Sequence, residues 1–171
     1  MLAGKRRLGR TLLERHIVYD LTEDSSPIGF IEYSADRDRI EIRGQRYSIV
    51  SERKPMTLLE QVAKLLTWRW KDVFALRDAV GQLIATSEKS ALNMFSLHHG
   101  GAVFSIRPRG RGCLEVCRQR DGIPVGGVEY RGLVASEMVS SLPSEWEPSI
   151  QAFVMWMLLF YVQHERRADN N

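Results

Sequence analysis

Ile150-Gln151-Ala152-Phe153-Val154-Met155-Trp156-Met157-Leu158-Leu159-Phe160-Tyr161-Val162 is the stretch whose reading decides the fold. A helix on a protein surface shows a polar stripe; this one is hydrophobic on every face, so it must be surrounded. Residues 152–162 carry no polar side-chain group beyond the Tyr161 hydroxyl and the Trp156 indole N–H. As a helix they span about 16 Å, half of the ~30 Å of bilayer hydrocarbon, too short to cross a membrane. The run therefore reads as a buried core helix, with Phe153, Trp156, Leu159 and Phe160 among its large side chains. Glu145 and Glu147 precede it, Pro148 stands near its first turn, and His164, Arg166 and Arg167 follow. That order suits the helix dipole and places the helix at about 149–165.

What surrounds it is read from the preceding residues. From Ile17 onward the chain runs in short alternating segments bounded by Asp, Gly, Ser and Pro, the signature of half-buried antiparallel strands. Strands are expected at 17–21, 28–33, 39–43 and 47–52, then at 71–77, 82–88, 92–98, 102–107, 112–119, 124–132 and 133–139. In Arg39-Ile40-Glu41-Ile42-Arg43 the alternation is strict, with the two isoleucines inward and the charges outward. His99-Gly100-Gly101 and Asp121-Gly122 supply the glycines that tight hairpins need. Residues 56–69 are ambiguous: Leu58, Leu59, Val62, Leu65 and Leu66 fit a helix, while Trp68 and Trp70 fit alternation, and one or two strands are favoured there. The total is about twelve strands.

An eight-stranded barrel fills its own interior, whereas eleven or more strands leave a lumen wide enough for a helix of ~10–12 Å. The expected fold is thus mainly β, a closed antiparallel barrel of about twelve strands enclosing its own C-terminal helix, with no sheet edge exposed. A weak internal repeat supports it. Tyr19-Asp20-Leu21 to Gly29-Phe30-Ile31, Phe74-Ala75-Leu76 to Gly81-Gln82-Leu83-Ile84, and Leu114-Glu115-Val116 to Gly126-Gly127-Val128 share one strand–turn–glycine–strand plan. Residues 1–16 read as a basic N-terminal arm with a short helix near 11–16, and 17–171 as one barrel domain. The arm lacks the apolar centre of a secretory signal.

Of 171 residues, 44% are hydrophobic and 26% charged, which excludes a disordered chain and a multi-span membrane protein. The formal charge of +3 is too small for the dense basic face of sequence-independent nucleic-acid binding. No specific nucleic-acid partner is expected. Cys113 and Cys117 would lie roughly 13 Å apart on one strand, too far for a disulfide, and read as reduced thiols of a cytoplasmic protein.

The strand–turn–strand units, followed by Leu142-Pro143-Ser144-Glu145-Trp146-Glu147-Pro148 and the apolar helix, resemble the tubby C-terminal-like superfamily. That group includes tubby-like proteins, phospholipid scramblases and LURP-one-related proteins. The resemblance covers about residues 17–165 and implies a twelve-stranded barrel around a central hydrophobic helix. It also implies phosphoinositide headgroup binding in the tubby branch, and a link to calcium and lipid movement among the scramblases. No residue-by-residue match to either site is present. Asp36-Arg37-Asp38-Arg39 begins like a calcium loop, but Glu41 stands where an EF-hand needs glycine and Tyr47 where it needs an acid.

No GxSxG, HExxH, Walker or CxxC motif occurs. With the lumen filled by a helix, no interior active site is expected; the chain reads as non-enzymatic, with no catalytic residue, metal or cofactor. Two basic clusters are the candidates for contact with an anionic membrane surface: Lys5, Arg6 and Arg7, joined by Arg10, and Arg107, Arg109 and Arg111. Each Lys or Arg near an anionic leaflet contributes about 1 kcal/mol. The expected function is a binding or adaptor module, cytoplasmic or peripheral to the membrane, taking anionic lipid headgroups or a protein partner. The alternative is a protein-interaction domain with no small ligand. An enzyme using His98 or His99 at the barrel rim ranks third.

Overall fold

Strict alternation does build the wall. In the computed structural model, which describes residues 1–7, 17–34, 38–52, 73–89, 94–110, 112–131 and 137–168, Ile40 and Ile42 are buried while Arg39 and Arg43 are exposed. Twelve strands follow the chain: β1 (Leu2–Arg6), β2 (Ile17–Glu23), β3 (Ser26–Tyr33), β4 (Asp38–Ile42), β5 (Gln45–Glu52) and β6 (Val73–Arg77). Then come β7 (Leu83–Lys89), β8 (Phe95–His99), β9 (Ala102–Pro108), β10 (Cys113–Arg118), β11 (Pro124–Arg131) and β12 (Glu137–Ser140). Each pairs antiparallel with its chain neighbour, and β1 pairs with both β2 and β12, closing the barrel.

The helix α1 (Pro148–Ala168) fills this barrel. Every residue from 150 to 161 is buried, so no face of α1 reaches water over that length. Trp156 is fully buried against Phe74 of β6 at 5.0 Å between ring centroids, with Phe153 and Phe160 stacked on either side. Phe160 in turn meets Phe74 and Phe95 edge-on. The helix starts on schedule: the Glu147 carbonyl accepts the first bonds from Ile150 and Gln151, leaving Pro148 in the first turn where its missing N–H costs nothing.

The twelve strands are not the twelve expected. Residues 2–6, assigned to an arm, form β1, and their alternation explains why: Leu2 and Gly4 are buried while Lys5 is exposed. The barrel therefore takes in residues 2–6, ahead of residue 17. The ring closes through direct pairing of β5 with β6, and the strands expected at 56–69 lie outside the described residues, as does the short helix expected near 11–16.

The repeat has a structural basis. In β2–β3, β6–β7 and β10–β11 the register slips at the same place, leaving one extra residue on the second strand: Ile28, Ile84 and Val125. All three are half-buried against the core. Their partners before the slip, Leu21, Leu76 and Val116, are fully buried. Such bulges bend the strand and increase twist, which curls the sheet. The bulged hairpins recur every four strands, so the barrel is three units of four, and the third unit takes its fourth strand, β1, from the N-terminus.

Candidate functional site

Gln151 is a buried polar residue of α1, and its amide joins the helix to the wall. Its Oε1 accepts the Ser140 hydroxyl at 3.0 Å, and its Nε2 donates to the carbonyls of Trp146 at 3.0 Å and Pro143 at 3.4 Å. With these groups satisfied and the lumen filled by α1, ligand chemistry is sought on the outside.

On the outer wall, β9 and β10 bring Arg107 opposite Glu115. Glu115 Oε2 accepts from Arg107 Nε at 2.9 Å, and Oε1 accepts from Arg109 Nη1 at 2.9 Å. The carboxylate is only 13% exposed, while the arginine side chains are 51% and 75% exposed. Hydrogen bonding to Arg107 holds the Glu115 carboxyl below its usual range, and raises the Arg107 guanidinium in turn. Each guanidinium carries five donors, and Glu115 engages only some of them. One sheltered carboxylate thus fixes two exposed cations side by side and leaves a surplus positive charge.

Cys117 and Cys113 flank Glu115 on β10, and burial pushes both thiols up, away from reactive thiolate. Arg111 lies outside the described residues.

The N-terminal cluster sits elsewhere on the ring, separated from β9 by β12, β11 and β10. Arg7 holds both oxygens of Asp20, and Lys5 stands between Asp20 and Glu137 in the ladders to β2 and β12. Arg6 is half-buried. The two basic clusters are therefore not brought together, and the acids beside Lys5 and Arg7 offset their charge.

Between β7 and β8 the wall opens into a groove of about 280 Å³ lined by residues 83–86 and 98–103. His98 points to solvent, while His99 turns inward with its ring 6.0 Å from Trp146, and its buried Nδ1 has no hydrogen-bond partner among the described residues. Thr86, which carries a hydroxyl, stands opposite His98 in the β7–β8 ladder and lines the same groove.

Asp38, at the start of β4, faces inward instead. Burial raises its carboxyl above the usual range, against the opposing pull of the Ser34 N–H at 2.9 Å. The indole of Trp156 also favours the charged form, but its buried Nε1 stops short of hydrogen-bond geometry and has no partner among the described residues.

Glu115, which holds Arg107 and Arg109, does not stand out in the sequence, although a hairpin turning near 111 places 107 and 115 opposite one another. Among the described residues, no group of three or more His, Cys, Asp or Glu side chains is arranged to hold a metal ion, and no helix is long and apolar enough to cross a membrane. Compared with protein-family models, curated proteins and solved structures, the chain shows no significant match.

Proposed function

We propose that this chain is a non-enzymatic, tubby-like binding module, cytoplasmic and peripheral to the membrane, that contacts anionic lipid headgroups through Arg107 and Arg109. The observation that carries this reading is the fixing of two exposed guanidiniums by one sheltered carboxylate, Glu115. Arg107 and Arg109 are held in place before any ligand arrives, which lowers the ordering cost of binding a phosphate. The closed barrel around α1 fits the fold that the tubby resemblance implies, and its filled lumen directs recognition to the outer wall.

Co-sedimentation with neutral and anionic liposomes at ~50 and ~300 mM salt tests this, because screening shortens the reach of exposed charges. Binding is expected to the anionic set alone and to weaken at the higher salt. The double variant Arg107→Ser, Arg109→Ser loses it, whereas Glu115→Gln releases a further positive charge and strengthens it about fivefold, the equivalent of about 1 kcal/mol. Equal behaviour of wild type and both variants would overturn the assignment. An absence of binding at either salt would favour a protein partner instead.

A further inference from the structure

The surroundings of Glu115 limit the kind of anion its two arginines can take, a step that rests on the headgroup reading above. Arg107 Nε donates to Glu115 Oε2 at 2.9 Å, and Arg107 Nη2 lies 2.8 Å from the same oxygen. Arg109 reaches the other oxygen, Oε1, through Nη1 at 2.9 Å. Nη1 of Arg107, and Nε and Nη2 of Arg109, take no part in holding Glu115. Two guanidiniums that share one carboxylate stand within one oxyanion's reach of each other. A phosphate has nearly the span of a carboxylate, so the unused edges can meet one phosphate together.

A second phosphate on the same headgroup finds no such pair beside the first. On β11 the Arg131 guanidinium is bound to Glu129 at 2.8 Å, and Glu129 stands opposite Cys113 in the β10–β11 ladder.

Charge sets the same limit. Residues 105–109, 113–117 and 127–131 lie side by side on or next to β9, β10 and β11. They hold three arginines, Arg107, Arg109 and Arg131, against two acids, Glu115 and Glu129. The local surplus is one positive charge. Cys113 and Cys117 leave it unchanged, because burial favours the neutral thiol at both. One monoanionic phosphate neutralises that surplus, and every further negative charge meets Glu115 and Glu129 with nothing to offset it.

We infer that Arg107 and Arg109 take a single, singly charged phosphodiester, the group carried by bulk anionic phospholipids such as phosphatidylglycerol, and do not select inositol rings bearing further phosphates. Glu115 keeps its place in the complex, and the phosphate adds to the pair without displacing it. A zwitterionic headgroup brings its own cation against the two arginines, so neutral lipid is not taken. The module then reads the charge of a membrane surface and leaves the rest of the headgroup unread.

Two vesicle sets test this with the wild-type full chain at ~50 mM salt. One holds phosphatidylcholine with phosphatidylglycerol, the other phosphatidylcholine with phosphatidylinositol bisphosphate, adjusted to equal surface potential. The chain should bind the bisphosphate set no more than about fivefold tighter than the other. A larger preference would overturn the inference and leave the headgroup reading intact. Binding to neither set would overturn that reading, and the inference with it. The variant Arg107→Lys, Arg109→Lys keeps both charges and removes the planar forks, and should weaken binding to both sets at least about threefold. A smaller loss, or a loss on one set only, would also overturn the proposal. The wild-type comparison stands even where that variant does not fold.

Discussion

The β3–β4 seam and the β7–β8 seam occupy equivalent places in the barrel, and one has Gly29 where the other has Ala85. At Gly29 the neighbouring strand closes onto bare backbone, whereas at Ala85 it stands away and leaves a groove. Both corners share the bulge, the tight turn and the buried aliphatic residue at the slip. In the two closed seams the neighbouring backbone passes where a Cβ on Gly29 or Gly126 would stand. Close approach of backbone is one of the few demands that glycine alone can meet.

The sharpest way to break the contrast is to put a methyl into a closed seam. Gly29→Ala drives a Cβ into the Glu41 carbonyl at 1.7 Å, and should cost about 3 kcal/mol or more in chemical denaturation. Gly126→Ala, at 2.3 Å, should cost less and open the β11–β12 corner. Hydrogen exchange reads the opening directly, as lost protection of the Arg43 amide in the first case and of the Ser141 amide in the second. Unchanged protection in both variants would show that the glycines do not govern closure.

Next in size is Gln151→Leu, which tests how the third seam is held at the helix entrance. It strips the Ser140 hydroxyl and the Trp146 carbonyl of their buried partner. The expected loss is about 1–3 kcal/mol, with the β12–α1 connection opening first. A neutral result would mean that apolar packing alone seats the helix.

The smallest effect concerns the opposite end of β4 and should leave the seams untouched. Because burial raises the Asp38 carboxyl, the folded state favours its protonated form, so this group stabilises the fold at low pH and opposes it once the pH rises above the raised value. Asp38→Asn keeps the shape and removes the charge. Its Tm should exceed that of wild type near pH ~7, with the difference fading by pH ~3. A lower Tm at neutral pH would mean that the Ser34 bond outweighs the cost of burial.

Much of this architecture was legible in the residues. The run from Ile150 to Val162 is apolar on all sides, and that alone demanded an enclosure. The alternating segments supplied its wall, and the repeated hairpins marked the three places where register slips. β1 was harder to see: five residues, Leu-Ala-Gly-Lys-Arg, alternate too briefly to outweigh their basic character, and the pairing that makes them a strand comes from the far end of the chain. The second unit misled in a different way. Gly81 looks like the counterpart of Gly29 and Gly126, but it serves the turn at φ +84°, and the true counterpart is Ala85. The site was half legible for a related reason. Arg107 and Arg109 announce charge, whereas the role of Glu115 depends on cross-strand register, which composition does not carry.

The central claim is that α1 is the core of the barrel rather than a helix resting upon it. Native-state hydrogen exchange of the α1 amides between residues 154 and 160, followed across low denaturant concentrations, tests this most directly. An enclosed helix can exchange only when the wall opens, so these amides should share the opening free energy and denaturant dependence of global unfolding. Exchange well below that energy and independent of denaturant, while the strands remain protected, would contradict it.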